Sequence, residues 1–191
     1  MRPLIYPVSD LEPIRQAVGS RDEVLIHRMV AEYAKHYEVG PESSEAEAFR
    51  ERARSFVEGR LRDAKEPGEW DKCIHLAALS LGLLRSEYPI NDDWKWMAWS
   101  DYHEEMAPRL PEDARKLLHW LVDGRPLRTK AIDTMGCYFA WLDSDEVLRL
   151  HEALGALQVS EETLGELLEF HEELLGWLEA CRGKSLLLIA A

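Results

Sequence analysis

The sequence predicts a mostly helical α+β fold: a single domain over residues 1–191 with a small sheet built from three strands that lie far apart in the chain. Three observations predict it. Short apolar runs bounded by turn residues occur at residues 4–8, at residues 135–142 (from Met135 to Leu142) and at residues 185–190, and runs of that length and composition read as strands. The segments between them carry the i, i+3, i+4 apolar spacing of amphipathic helices. Pro and Gly punctuate the joints, and the connectors are short enough that no domain boundary is required. A lone strand leaves backbone donors and acceptors unpaired, so the three are expected to meet in one minor sheet on which the helices pack.

Residues 4–8 are broken by Pro7, which suits an edge strand. Ser9-x-x-Glu12 has the form of a capping box and opens a short helix that Gly19 stops. Ser20-x-x-Glu23 repeats the pattern for a helix to about Glu38, with Leu25, Ile26, Met29, Val30, Tyr33 and Tyr37 as its apolar face. Gly40-Pro41 breaks the chain, and Ser43 or Ser44 caps a long polar helix to about Lys65 with Phe49, Ala53, Phe56, Val57 and Leu61 as a thin stripe. After Pro67-Gly68, the segment from Trp70 to Arg85 leaves little polar face and reads as the most buried helix. Asn91, Asp92 and Asp93 supply caps for a helix to about Ala107. Pro111 suits the first position of a helix ending near Gly124. A polar connector then leads into the strand at residues 135–142. Two more helices follow, capped at Ser144 and Ser160, before Gly183 and the last strand.

Composition narrows the function. The formal charge is −13 and the pI about 5.0. Binding a phosphate backbone takes clustered Lys and Arg, so nucleic acid is excluded as a general partner, and anionic membrane surfaces are disfavoured by the same sign. The longest apolar run is far short of the roughly 20 residues a membrane span needs. The N-terminal residues have no apolar core of the kind a signal peptide carries. Cys73, Cys137 and Cys181 are odd in number and far apart, which fits a reducing cytoplasm better than a disulfide framework.

Most of the charge sits in one place. Residues 143–181 hold eleven carboxylates against one basic residue, Arg149, a net of −10. An apolar stripe is interleaved with them at helical spacing, so two amphipathic helices with a negative outer face are expected. A charged face is most often simply solvated. The functional reading is a surface around Glu162, Glu166, Glu169 and Glu173 that docks a basic protein, since a dense patch of one sign steers encounter and selects a partner of the other.

The chemistry-bearing motifs mostly fail. Zinc-protease spacing needs a second His where Leu175 follows His171 and Ala107 follows His103. No Glu stands three residues before any of the seven histidines, as a di-iron bundle requires. There is no Cys-x-x-Cys pair. Gly183-Lys184-Ser185 lacks the strand, the first glycine and the following helix of a phosphate loop. Neither a Gly-x-Gly-x-x-Gly fingerprint nor a Gly-x-Ser-x-Gly elbow is present. No catalytic residue and no cofactor are therefore expected, and an enzyme is the less favoured reading.

Two groups still merit attention. His151 and His171 share apolar stripes and are expected to face inward, either as neutral core histidines or as a weak metal pair. The cluster Trp94, Trp96, Trp99, Tyr102 and His103 puts aromatic rings on two helix faces. That is core packing in most folds, or else a ligand pocket or partner surface.

The short N-terminal strand, the Gly19-Ser20-Arg21-Asp22-Glu23 helix start, the Trp141-Leu142-Asp143-Ser144-Asp145-Glu146-Val147 strand-to-helix junction and the closing Gly183-Lys184-Ser185-Leu186-Leu187 together resemble bacterial protein families of about this size whose function is uncharacterised. The resemblance covers the two ends of the chain. It implies a bacterial cytoplasmic protein and brings no activity or catalytic residue with it. Two functional expectations result. The first is a non-enzymatic interaction module with an acidic helical face, immunity-like in character. The second is a small-ligand or metal-binding protein, with catalysis left open, using the Trp/Tyr/His cluster or the inward histidines. Self-association into a homo-oligomer is compatible with either.

Overall fold

A computed structural model describes residues 3–60, 69–84, 88–89, 96–125 and 139–190. The fold is mostly helical α+β with one small antiparallel sheet. The described residues divide into two compact units, one drawn from residues 1–10, 86–125 and 134–191, the other from residues 11–85 and 126–133.

In the first unit, strand β1 (Pro3–Val8) lies beside the C-terminal strand β4 (Ser185–Ala190), which pairs on its other side with β3 (Phe139–Leu142). These are the three expected strands. Residues 135–138 of the predicted third strand lie outside the described residues, as do Leu61 to Lys65, Pro67-Gly68, Asn91 to Asp93 and Cys137. A fourth, two-residue strand, β2 (Tyr88–Pro89), pairs with Leu4 and Ile5, giving the order β2-β1-β4-β3. This corrects the expectation that β1 is an edge strand. Pro7 nevertheless lies beyond the two residues that β2 covers, where a missing N–H costs no bond to β2. β4 is buried from Ser185 to Ile189. A strand covered on both faces has no polar side to alternate with, hence the unbroken Leu-Leu-Leu-Ile.

One sheet face carries Ile5, Ala140, Leu142, Leu186 and Leu188, which share a core with the helices of this unit. The register explains the set: Ile5 and Ala140 both stand opposite Leu188, and Leu142 stands opposite Leu186. The helices are α5 (Trp96–Met106), α6 (Glu112–Asp123), α7 (Ser144–Gly155), α8 (Glu161–Leu164) and α9 (Leu167–Ala180). Pro111 occupies the N-cap of α6, one place earlier than expected. Asp143, not Ser144, caps α7, because Glu146 reaches back to accept the Asp143 N–H at 2.9 Å and completes a capping box. Ser160 does cap its helix, with Thr163 Oγ1 accepting the Ser160 N–H at 2.8 Å. That helix is short. Gly165, at φ 54° and ψ −130°, breaks the expected second acidic helix into α8 and α9.

The second unit holds α1 (Glu12–Ala17), α2 (Glu23–His36), α3 (Ser44–Val57) and α4 (Glu69–Ser80). Neither predicted Ser capping box forms. Leu11 occupies the N-cap of α1 with no side-chain bond, and Pro13 supplies the pre-set first turn. Asp22 caps α2, accepting from Val24 N and Leu25 N, while Ser20 Oγ accepts the Asp22 N–H. The last three helices end alike. Val39 N donates to Ala34 O, Arg60 N to Ser55 O and Leu83 N to Ala78 O, each bond spanning a residue at positive φ: Glu38, Gly59 and Gly82. That is the Schellman termination, and it explains why α3 and α4 stop at Val57 and Ser80. On α2, Leu25, Ile26, Met29, Val30 and Tyr33 are buried as expected, but Tyr37 is exposed. On α4, Cys73 to Ala78 are all buried, as the apolar pattern implied. No helix among the described residues is long and apolar enough to cross a membrane.

Candidate functional site

The acidic helices hide their apolar faces and expose most of their carboxylates. Val147, Leu150 and Leu154 of α7 and Phe170, Leu174, Trp177 and Leu178 of α9 are buried, and the two helices pack on each other. Leu167 and Leu168 are half-buried. Glu152, Glu161, Glu162, Glu166, Glu169 and Glu172 are exposed, and none pairs with a cation among the described residues. Part of this has a local cause. Glu161, Glu162 and Glu169 stand in first turns and Glu166 at an N-cap, where a negative charge offsets the helix dipole. Glu173 is half-buried and has a partner of its own.

Glu146 has left the acidic face altogether. It forms a two-pronged ion pair with Arg125, Nη1–Oε2 2.5 Å and Nη2–Oε1 3.1 Å, with only 13% and 14% of the two side chains exposed. The guanidinium is held between two indoles, its central carbon 3.7 Å from the Trp120 ring centre and 3.4 Å from that of Trp141. Sequence reading placed Arg125 in a polar connector. The stacking partners come from the end of α6 and from β3, so no local pattern announces them.

The aromatic cluster divides. Trp94 and the Trp96 side chain lie outside the described residues. Trp99 and Tyr102 are buried, and their rings meet Phe170 edge-on, each with centroids 4.9 Å apart. Trp99 also stacks against Trp177 at 6.3 Å. Both rings are thus part of the core between α5 and α9. Tyr102 Oη hydrogen-bonds the buried His171 Nδ1 at 2.6 Å, joining a residue of the aromatic cluster to one of the two inward histidines. Burial holds the phenol above its ordinary range and the imidazole below its own, the nearby Glu172 charge opposing the latter.

His151 is not buried as expected. It sits about 70° round the helix from the centre of the Val147–Leu150–Leu154 stripe, half-buried, with Nε2 3.6 Å from Glu179 Oε2. His151 and His171 therefore have separate partners. Among the described residues, no three His, Cys, Asp or Glu side chains gather into a ligand set. Cys181 is buried and its thiol is pushed up to about 12 by that burial, the opposite of an activated nucleophile.

A second histidine pair escaped the sequence reading. His103 on α5 and His119 on α6 have ring centroids 5.5 Å apart. His119 Nδ1 lies 2.6 Å from Asp123 Oδ2. The i, i+4 spacing of His119 and Asp123 was the one local signal of this arrangement.

No family model matches the chain, and neither a curated protein nor a solved structure resembles it significantly.

Proposed function

We propose that this chain is a non-enzymatic interaction module of the bacterial cytoplasm that docks a basic protein through the acidic surface of α7, α8 and α9. The observation carrying this reading is the run of exposed carboxylates, Glu162, Glu166 and Glu169 with Glu172 and Glu152, that no cation neutralises among the described residues. Like charges gathered on one face repel one another, and local helix-dipole compensation accounts for only some of them. A partner of opposite sign relieves that repulsion and is drawn in at long range. An immunity-like task, in which a cationic partner is masked, uses a face of this kind.

The competing ligand-pocket reading draws less support, because the Trp99 and Tyr102 rings and the Tyr102 hydroxyl are already engaged inside the core. The test is capture of a stoichiometric basic partner at low and high salt, run beside a charge-reversed Glu162→Lys, Glu166→Lys, Glu169→Lys chain. The proposal expects binding that weakens as salt rises and fails in the folded variant. Capture indifferent to both salt and charge reversal would remove the acidic face from consideration.

A further inference from the structure

We propose that His103 and His119 are the two protein ligands of a divalent transition-metal site on the joined faces of α5 and α6, with Asp123 orienting His119 from behind. The two helices pack directly on each other, so both imidazoles are held on rigid elements. Their ring centroids lie 5.5 Å apart with planes 45° apart. With metal–nitrogen bonds of about 2.0–2.1 Å, two imidazoles on one ion place their ring centres roughly 5 Å apart, so the observed spacing needs only a small adjustment.

Each ring is prepared differently. The Nδ1 edge of His119 is taken by Asp123 at 2.6 Å, which leaves Nε2 as the lone-pair nitrogen. A carboxylate behind a histidine in this way fixes the ring and raises its basicity as a ligand. His103 Nε2 is sealed from solvent and has no hydrogen-bond partner among the described residues. A buried polar atom without a partner is uncommon, and a bound cation would satisfy it. Imidazole donors select Zn(II), Ni(II) or Cu(II) over Mg(II) and Ca(II), and two protein ligands leave positions open for water or an added donor.

The experiment is calorimetric titration of the full chain with Zn(II), repeated by following the visible spectrum of Co(II). One saturable equivalent is expected. His119→Ala, at a side chain 52% exposed and so without consequence for the core, is expected to weaken binding at least tenfold. Asp123→Asn should weaken it on the order of tenfold. His151→Ala should leave it unchanged. Absence of saturable binding, or binding that survives His119→Ala undiminished, overturns the proposal.

Discussion

Tyr102 and His171, 69 residues apart in sequence, are joined inside the core by a single 2.6 Å hydrogen bond from the phenol oxygen to Nδ1. Each is a large polar-tipped ring placed where water does not reach. The bond lets both remain there, because a buried donor or acceptor left unpaired costs more than a made bond contributes. It also ties α5 to α9 at a defined register, whereas apolar contacts alone slide more easily.

Tyr102→Phe keeps the ring and its contact with Phe170 and removes only the hydroxyl. It leaves His171 Nδ1 buried without its partner, so a loss of about 1–3 kcal/mol is expected. Urea denaturation read by tryptophan fluorescence measures it. A variant as stable as the parent would mean that His171 finds another partner at no cost.

Burial pulls the His75 imidazole from its ordinary 6.5 down to about 4, and the His36 ring, centred 5.7 Å away, adds to the effect. Between those values the unfolded chain takes up a proton that the folded chain refuses. The unfolded state therefore binds more protons in that window, and stability rises with pH across it. Above about pH 6.5 the contribution is flat; on acidification it erodes until about pH 4. His171 and His103, both shifted downward, act in the same direction. Denaturation midpoints at about pH 7 and about pH 4.5 should show the decline. His75→Gln, which does not titrate, should flatten the slope; an unaltered slope would assign the acid sensitivity elsewhere.

The sheet and the acidic helices were legible in the sequence because both rest on local pattern. β4 could be read from an unbroken apolar run, α7 and α9 from leucine spacing. The rest was less legible for reasons that can be traced. β2 is two residues long and too short to carry any alternation. Ser9 and Ser20 offered the right atoms for capping, but Pro13 and Asp22 lay closer to the actual first turns, and Ser144 is itself the first helical residue, one place past the cap that Asp143 fills. Gly165 was visible, yet the flanking leucines kept helical phase through it and hid the break. The contacts that build the candidate sites, Tyr102 with His171, Arg125 with Glu146, His103 with His119, join different elements, and no spacing rule within one helix reports them.

Glu38 ends α2 at φ 54° in the same role that Gly59 and Gly82 play for α3 and α4. A β-carbon is strained in that region and glycine is not. Glu38→Gly is expected to stabilise the chain by roughly 0.5–1 kcal/mol, the relief of left-handed strain (about 1–2 kcal/mol) less the entropy cost of glycine (about 0.5–1 kcal/mol). Gly82→Ala should cost about 1 kcal/mol, although an added β-carbon there meets no atom within 4 Å; the penalty is conformational, not steric crowding. Thermal midpoints moving in opposite directions for the two variants would check the argument.

Arg125 does more than pair with Glu146. β3 lies at the end of the strand order, and in its register with β4 alternate residues turn their backbone groups outward. Phe139 and Trp141 are the outward pair, and Arg125 occupies both carbonyls: its backbone N–H donates to Phe139 O at 3.2 Å and its guanidinium to Trp141 O at 3.2 Å. An open edge is a template for a further strand, and among the described residues these two carbonyls are taken by Arg125, anchored between two indoles. Arg125→Ala should cost about 3 kcal/mol, since it strands the Glu146 carboxylate in a largely enclosed site. It should also free the Trp141 carbonyl on the edge of an apolar strand, while the backbone N–H of residue 125 keeps Phe139 O, so the variant is expected to associate more readily with rising concentration than the parent. Glu146→Gln, which keeps Arg125 and its two carbonyl bonds, separates the effects: it should lose stability without gaining association. Size-exclusion chromatography over a concentration series distinguishes them, and an Arg125→Ala chain that elutes like the parent at every concentration would leave Arg125 with a stabilising role alone.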